Sequence, residues 1–298
     1  MKFISEKIPS TQTNNQYYKA MTITLSGNVL LAVMKWIAAN YSASSALRAD
    51  AYNSLGDVMY SLLLVVGMYV SMQPPDISHP QGHKRFEPLI GLMISLSIAI
   101  AGYRALSGSI EKIRFGAEPL TEIFPIVVLA VSASIKGVMF LLIRRIADKI
   151  NSPTLRTTAL DNITDTISSF TAILGVLGAR YLTPLADPIA GILVSIWIFR
   201  AAYMALRENM EFITGAGAPE DRREEFAKVI KSVPGVLNVH QLFTEYVGTK
   251  YLLDVHINVD GKTTLHDVHH IETVIEKRLM ELDDVGRVYV HVEPPGYD

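Results

Sequence analysis

Six apolar stretches, each about 20 residues or longer, occupy the first two thirds of the chain. A hydrocarbon core about 30 Å thick is crossed by roughly 20 apolar residues in a helix, so each stretch can span a bilayer. The sequence therefore predicts an α-helical membrane domain with six transmembrane helices. The predicted spans are Met21–Tyr41, Ser45–Met72, Leu89–Gly108, Ile123–Ile143, Thr158–Leu182 and Ile189–Leu206.

The composition changes sharply after the sixth stretch. Residues 1–211 hold 32 charged side chains, whereas the 87 residues 212–298 hold 24 charged side chains and six of the eight histidines. We therefore predict a membrane domain over residues 1–211 and a soluble, acidic domain over residues 212–298. The net charge of −2 gives no sign of a nucleic-acid partner. Because the chain has no cysteine, disulfides, thiolate metal sites and cysteine nucleophiles are excluded.

The soluble part has a regular pattern of helix and strand signals. Pro219 suits the first turn of a helix, and Gly248 with Thr249 marks a turn between two alternating segments. The order α-β-β-α-β predicts a small open sheet with helices on one face. The predicted elements are Glu220–Ser232, Val236–Val247, Tyr251–Asp260, Leu265–Leu282 and Val285–Glu293.

The basic residues of the short loops predict the orientation in the membrane. Lys and Arg are concentrated in segments that face the cytoplasm if the N-terminus is inside, among them Lys84, Arg85, Arg144 and Arg145. Cytoplasmic loops of membrane proteins carry such an excess. With six spans, both termini and the soluble domain are then expected in the cytoplasm.

Two of the predicted spans carry paired polar side chains. Asn53 and Asp57 are four residues apart in the second span, and so are Asp161 and Asp165 in the fifth. This spacing places each pair on one helix face, about one turn apart, and Asp50 lies on the same face as Asn53 and Asp57. Charged groups within a bilayer are costly and are usually functional or paired. Four oxygen-bearing side chains around one point suit a divalent cation.

Other interpretations of these carboxylates are weaker. Helix capping or hydrogen bonding between helices explains one Asp near a membrane edge better than two pairs on two spans. An intramembrane aspartyl protease needs a Gly-x-Gly-Asp element, but Ser54 and Leu55 precede Gly56-Asp57 here. Lys35 and Lys136 also lie within spans, where snorkelling or pairing with a carboxylate is the expected role.

Taken together, these motifs resemble those of the cation diffusion facilitators. The resemblance covers nearly the whole chain and rests on Ala49-Asp50 with Asn53-x-x-x-Asp57, on His79-Pro-Gln-Gly-His83 with Glu87-Pro88, on Asp161-x-x-x-Asp165 and on the αββαβ tail. It implies a homodimeric divalent-metal/proton antiporter with six spans and a cytoplasmic, metallochaperone-like (ferredoxin-like) domain for metal binding and dimerisation. It also implies a transport site made of Asn53, Asp57, Asp161 and Asp165, with Asp50 as a further candidate.

The ligand types suggest which metal is carried. Zinc favours nitrogen and sulfur donors, whereas carboxylate and carbonyl oxygens suit Mn²⁺, Mg²⁺ or Ca²⁺. In zinc-transporting members of the resembled family the position of Asn53 is typically His or Asp, and the set here resembles the manganese-exporting branch. The sequence therefore favours Mn²⁺, with Zn²⁺ and Fe²⁺ as alternatives.

Two further groups of residues match secondary metal sites of the resembled family. One lies in the loop after the second span and consists of Asp76, His79 and His83. The other lies in the soluble domain and consists of His240, His256, His269, His291 and Glu293. Ordinary solvated histidines are the alternative interpretation at both places.

The sequence thus predicts a secondary active transporter, not an enzyme, that exports Mn²⁺ against protons from the cytoplasm. No catalytic cofactor is expected, and the partners are the metal ion, protons, the lipid bilayer and a second copy of the chain. The expected location is a prokaryotic inner membrane.

A zinc or iron antiporter is the alternative within the family. A membrane-anchored metal sensor is the alternative from another class, and the cost of burying the paired carboxylates argues against a merely anchoring membrane domain. An ATP-driven pump is disfavoured because no phosphate-binding Gly-x-x-x-x-Gly-Lys-Ser/Thr loop is present.

Overall fold

A computed structural model describes residues 11–41, 45–116, 123–181, 183 and 185–296. The chain divides into two compact units, of which the first ends at Asn209 and the second begins at Met210. The first unit is helical, and the second combines two helices with a three-stranded sheet.

Six long helices, the last of them up to Asn209, form the first unit. They are α1 (Thr11–Tyr41), α2 (Ser45–Ser71), α3 (Phe86–Phe115), α4 (Ile123–Ile150), α5 (Pro153–Tyr181) and α6 (Ala186–Thr214). Several extend about two turns beyond the predicted apolar stretches, and α1 begins almost three turns before its predicted span. Within the described residues, five of the six are long and apolar enough to cross a membrane. The exception is α5, whose hydropathy is lowered by Asp161, Asp165 and a series of threonines.

The helices pack around a shared apolar core. Helix α4 packs mainly against α5 and α1, while α3 packs against α5 and α2. Small residues let α3 and α6 approach closely: a Cβ atom at Gly102 would contact Ile198, and a Cβ atom at Gly191 would meet Ser109. Close backbone approach through small residues is the usual way in which membrane helices associate.

A buried polar cluster joins three helices at the beginning of α3. The Glu87 side chain is 1% exposed and accepts hydrogen bonds from the hydroxyls of Tyr17 on α1 and Ser152 just before α5. The Thr154 hydroxyl donates to the backbone carbonyl of Glu87. A buried carboxyl group needs such partners, so this cluster fixes the relative positions of α1, α3 and α5.

The second unit confirms the predicted order α-β-β-α-β. Its elements are α7 (Glu220–Lys231), β1 (Asn238–Val247), β2 (Lys250–Asn258), α8 (Leu265–Met280) and β3 (Val285–Glu293). Strand β2 lies in the centre of the sheet, antiparallel to β1 and parallel to β3. The predicted turn at Gly248 and Thr249 joins β1 and β2, because Val247 pairs with Lys250.

The two faces of the sheet differ in chemistry. Every second residue of β2, beginning with Tyr251 and Leu253, is buried in one apolar cluster with Phe226 of α7 and Ile275 of α8. Side chains alternate between the two faces of a strand. The intervening residues of β2, including His256, therefore lie on the face opposite to the helices.

Candidate metal centres

The acidic pair of α5 faces a buried lysine in the first unit. Lys136 of α4 is 3% exposed, and its Nζ lies 2.8 Å from Asp165 Oδ2 and 3.0 Å from Asp57 Oδ2. The ammonium group thus joins α4 to α2 and α5 at once. The sequence indicated that Lys136 would pair with a carboxylate, but it did not indicate which one. The structure identifies two, both of them predicted transport-site residues.

A third carboxylate belongs to the same electrostatic cluster. Asp161 lies one turn before Asp165 on α5, and its charge interacts with those of Asp165, Lys136 and Asp57. The charge of Lys35, which is buried on α1, also interacts with that of Asp165. Helices α2 and α5 therefore bring together three of the four predicted side chains, with basic groups from α4 and α1 around them.

The fourth predicted side chain has a different partner. Asn53 is exposed, and its Oδ1 accepts a hydrogen bond from Arg104 Nη1 of α3 at 3.3 Å. In the described part of the chain, the carboxylate oxygens of Asp57, Asp161 and Asp165 do not all lie within 4.8 Å of one another. Asp50 lies on α2, but its side chain is outside the described residues.

The structure also adds residues that the sequence analysis missed. The side-chain amide of Asn28, buried on α1, donates to the Ser61 hydroxyl at 2.7 Å and to the backbone carbonyl of Asp57 at 3.4 Å. The sequence signal that could have identified Asn28 and Arg104 is the presence of a strongly polar side chain within a predicted span. Both residues hold α2 at the turns that carry Asn53 and Asp57.

The predicted loop group is brought together between α2 and α3. Ligand atoms of Asp76, His79 and His83 all lie within 4.8 Å of one another. The carboxylate of Asp76 accepts a hydrogen bond from the backbone N–H of His79, and this bond is the main reason why the pKa of Asp76 lies below its ordinary value. His83 is buried and its Nδ1 donates to the Pro74 carbonyl at 3.2 Å, which leaves Nε2 directed at Asp76 at 3.5 Å. A histidine held in this way is typical of metal ligands.

The second unit carries a group on the sheet face opposite to its helices. Ligand atoms of His240, His256 and Glu293 all lie within 4.8 Å of one another, with His240 Nε2 3.3 Å from Glu293 Oε2. His256 on β2 is the register partner of His291 on β3, and His291 Nε2 lies 3.0 Å from Glu293 Oε1. Two imidazoles and a carboxylate at this separation form a site that a divalent metal can occupy.

A β-bulge positions one of these histidines. Val239 pairs with Ile257 and Gln241 pairs with His256, so His240 is an extra residue in β1. Bulges redirect a side chain relative to the regular alternation. The ring of His240 consequently lies 5.7 Å from that of His256, centroid to centroid.

One predicted member of the tail site is not in this group. His269 lies on α8, on the other side of the sheet, where its Nδ1 is 3.6 Å from Glu272 Oε2. Its side chain is 78% exposed. Within one chain the structure therefore joins His240, His256, His291 and Glu293 but not His269.

Comparison with known proteins covers both units. Residues 21–213 match the family model "Cation efflux transmembrane domain", and residues 218–295 match "Cation efflux protein, cytoplasmic domain". The chain is 30% identical to the transporter MJ0449 of Methanocaldococcus jannaschii, covering 92% of this chain and 97% of that protein. It is 26% identical to the manganese efflux system protein MneS of Bacillus subtilis, covering 91% and 93% respectively. The metal-bound C-terminal domain of the CzcD transporter from Thermotoga maritima is 38% identical over 26% of this chain and 90% of that structure, with a TM-score of 0.25.

Proposed function

This chain belongs to the cation efflux family, the cation diffusion facilitators, and we propose that it exports Mn²⁺ from the cytoplasm in exchange for protons. Members of the family are transporters of divalent cations, not enzymes. The chain is accordingly a multi-pass membrane protein with a cytoplasmic C-terminal domain, and the cytoplasmic-domain match supports a homodimer. The identity of the metal, the coupling to protons, the cytoplasmic N-terminus and the inner-membrane location are our proposals.

One observation carries the transport site. Asp57 and Asp165 approach a single point between α2, α4 and α5, the position of the Lys136 ammonium, and Asp161 lies one turn away. We propose that Asp57, Asp161 and Asp165 bind the transported ion there, together with the amide oxygen of Asn53. Asp50 remains a candidate for the same site.

The absence of imidazole supports Mn²⁺ over Zn²⁺. The sequence has no histidine before His79 or between His83 and His240, so none of α1–α6 offers one. Oxygen donors suit Mn²⁺, whereas zinc favours nitrogen and sulfur ligands. The similarity to a protein named as a manganese efflux protein agrees with this choice. Zinc or iron remains the alternative cargo.

Proton coupling follows from the same side chains. A carboxylate binds a metal only when it is ionised, so protons and metal compete for the site. Metal is expected to bind on the cytoplasmic side, where protons are scarcer, and protons are expected to replace it on an acidic outer side. We propose this competition as the basis of antiport.

The loop and tail groups are proposed as cytoplasmic metal sites. Asp76, His79 and His83 offer one set of ligands, and His240, His256 and Glu293 offer another, with His291 beside them. His269 remains a ligand implied by the family resemblance alone. Because the chain belongs to a family of transporters, we propose that the tail regulates transport in response to cytoplasmic metal. This role replaces the alternative of a sensor with an inert membrane domain.

Flux measurements in liposomes test the proposal. The purified protein is reconstituted with a proton gradient, and Mn²⁺ and Zn²⁺ fluxes are compared. We expect Mn²⁺ flux that exceeds Zn²⁺ flux and that collapses when the gradient is dissipated. Asp57→Asn and Asp161→Asn should abolish the flux. The matched control is Asp148→Asn, an exposed carboxylate that pairs with Arg144 of α4 and Arg156 of α5 outside the proposed site and should matter little. Full flux in either transport-site variant would refute this site.

A further inference from the structure

The carboxylates of the proposed transport site share a cation that belongs to the protein, the ammonium group of Lys136. The Nζ atom of Lys136 lies within 3.0 Å of carboxylate oxygens on both α2 and α5. Its side chain is 4% exposed, compared with 18% for Asp57 and 27% for Asp165. The ammonium is therefore the most deeply buried of the three charged groups and lies between the other two.

This geometry leaves no room for a metal on the same two oxygen atoms, Oδ2 of Asp57 and Oδ2 of Asp165. Oxygen ligands bind hard divalent cations at about 2.0–2.6 Å. An ion bound to the same oxygens of Asp57 and Asp165 would occupy the space of the ammonium group, and the two positive charges would repel each other at short range. The ammonium of Lys136 has to leave at least one of these two oxygens before a metal can bind both of them.

The side chain can make that movement. A lysine carries a compact charge on a flexible four-carbon stem, so its ammonium can withdraw while α4 stays in place. Removing one member of a buried ion pair is costly because it leaves the other uncompensated. In ionised form, Asp57 and Asp165 therefore need a positive charge close to them, which Lys136 supplies in this structure and a bound metal can supply instead.

We infer, on the basis of the proposed function, that the Lys136 ammonium competes with the transported metal for Asp57 and Asp165. It pairs with both carboxylates before the metal binds, and it returns to them to displace the ion. The lysine lowers the affinity of the site for the metal ion and speeds the release of that ion. Removal of the Lys136 charge should therefore lower both the Mn²⁺ concentration that half-saturates transport and the maximal rate of Mn²⁺ transport. A purely structural ion pair would instead weaken binding when it is broken.

Equilibrium binding of Mn²⁺ to the full-length protein at fixed pH tests this inference, with free Mn²⁺ measured by electron paramagnetic resonance. The component of the binding curve that is lost in Asp161→Asn defines the transport site, apart from the loop and tail sites. In Lys136→Met we expect this component to tighten at least about tenfold, equivalent to about 1.4 kcal/mol. Maximal Mn²⁺ flux should fall in the same variant. The control is Lys149→Met, which removes an exposed lysine from the same helix and should change neither quantity.

Thermal unfolding separates competition from a structural role. Without Mn²⁺, Lys136→Met should unfold at a lower temperature than the wild type, because Asp57 and Asp165 lose their counter-ion. Saturating Mn²⁺ should raise its unfolding temperature more than that of the wild type, since the metal now supplies the missing charge.

If Lys136→Met is too unstable to purify, Lys136→Arg replaces it. A guanidinium pairs with two carboxylates more strongly, so Mn²⁺ affinity should fall severalfold.

The outcomes are distinguishable. Unchanged or weaker Mn²⁺ binding in folded Lys136→Met would overturn the inference, and so would undiminished affinity in Lys136→Arg. Tighter binding without any loss of maximal flux would overturn the role in release. If Asp57→Asn and Asp161→Asn bind and transport Mn²⁺ normally, the proposed transport site itself has failed, and that result is independent of Lys136.

Discussion

The hydroxyl of Tyr17 donates a hydrogen bond of 2.9 Å to Glu87 Oε2, and both side chains are buried. This contact joins α1 to the start of α3, seventy residues further along the chain. The motif that pointed to the family contains Glu87 and Pro88, but nothing in its sequence indicated Tyr17 as a partner.

Tyr17→Phe should destabilise the protein by about 1–3 kcal/mol, because a buried acceptor loses one of its donors while the packing volume stays the same. Tyr18→Phe is the matched control, since Tyr18 is the next residue on α1 and is 49% exposed. The measurement is the thermal unfolding of both variants in detergent, followed by circular dichroism. Equal stabilities would show that the contact contributes nothing.

Asn53→His should shift the cargo preference towards zinc. An imidazole beside three carboxylates adds the nitrogen donor that zinc favours, so the ratio of Zn²⁺ to Mn²⁺ flux should rise at least about tenfold. Asn53→Gln changes the same position but keeps an amide oxygen and an all-oxygen ligand set, and Mn²⁺ should remain preferred. Paired liposome flux assays give both ratios. An unaltered ratio in Asn53→His would mean that this residue does not set selectivity.

His256→Ala should weaken metal binding by the cytoplasmic domain at least about tenfold, because one of three clustered ligands is lost. His269→Ala should change it less than twofold, since the exposed His269 pairs with Glu272 on the far side of the sheet. Binding is measured on full-length protein in a background that carries Asp161→Asn and His79→Ala, which removes the contributions of the proposed transport site and loop site. A large effect of His269→Ala would indicate that the site is completed by the second chain of the dimer.

Gly91→Ala should destabilise the membrane domain by about 1–3 kcal/mol through overpacking. A Cβ atom at Gly91 would collide with the side chain of Asn209. Asn209 is fully buried and its amide donates to Thr157 and to the Ala205 carbonyl, so it has little freedom to move aside.

Gly108→Ala is the control for Gly91→Ala on the same helix. A Cβ atom at Gly108 meets nothing within 4 Å, so the substitution should be neutral or stabilise α3 by up to about 1 kcal/mol. Unfolding temperatures of the two variants in detergent provide the comparison. Equal effects would contradict the proposed close approach of α3 and α6.

Local patterns in the sequence determined the architecture. The length of an apolar stretch reports a spanning helix, and alternation reports a strand, because both depend on residues close together in the chain. The six helices, the αββαβ order and the turn at Gly248 were therefore predictable. The shared helix face of Asp161 and Asp165 followed from the helical repeat in the same way.

Contacts between elements were decided only by the tertiary structure. The position of Lys136 between Asp57 and Asp165 depends on the rotation and offset of three packed helices, and the hydrogen bond from Arg104 to Asn53 depends on a fourth. The separation of His269 from the other tail histidines depends on which face of the sheet the helices cover. Spacing along one element cannot encode these relationships, because they arise from how the side chains of different elements fit together when the chain packs.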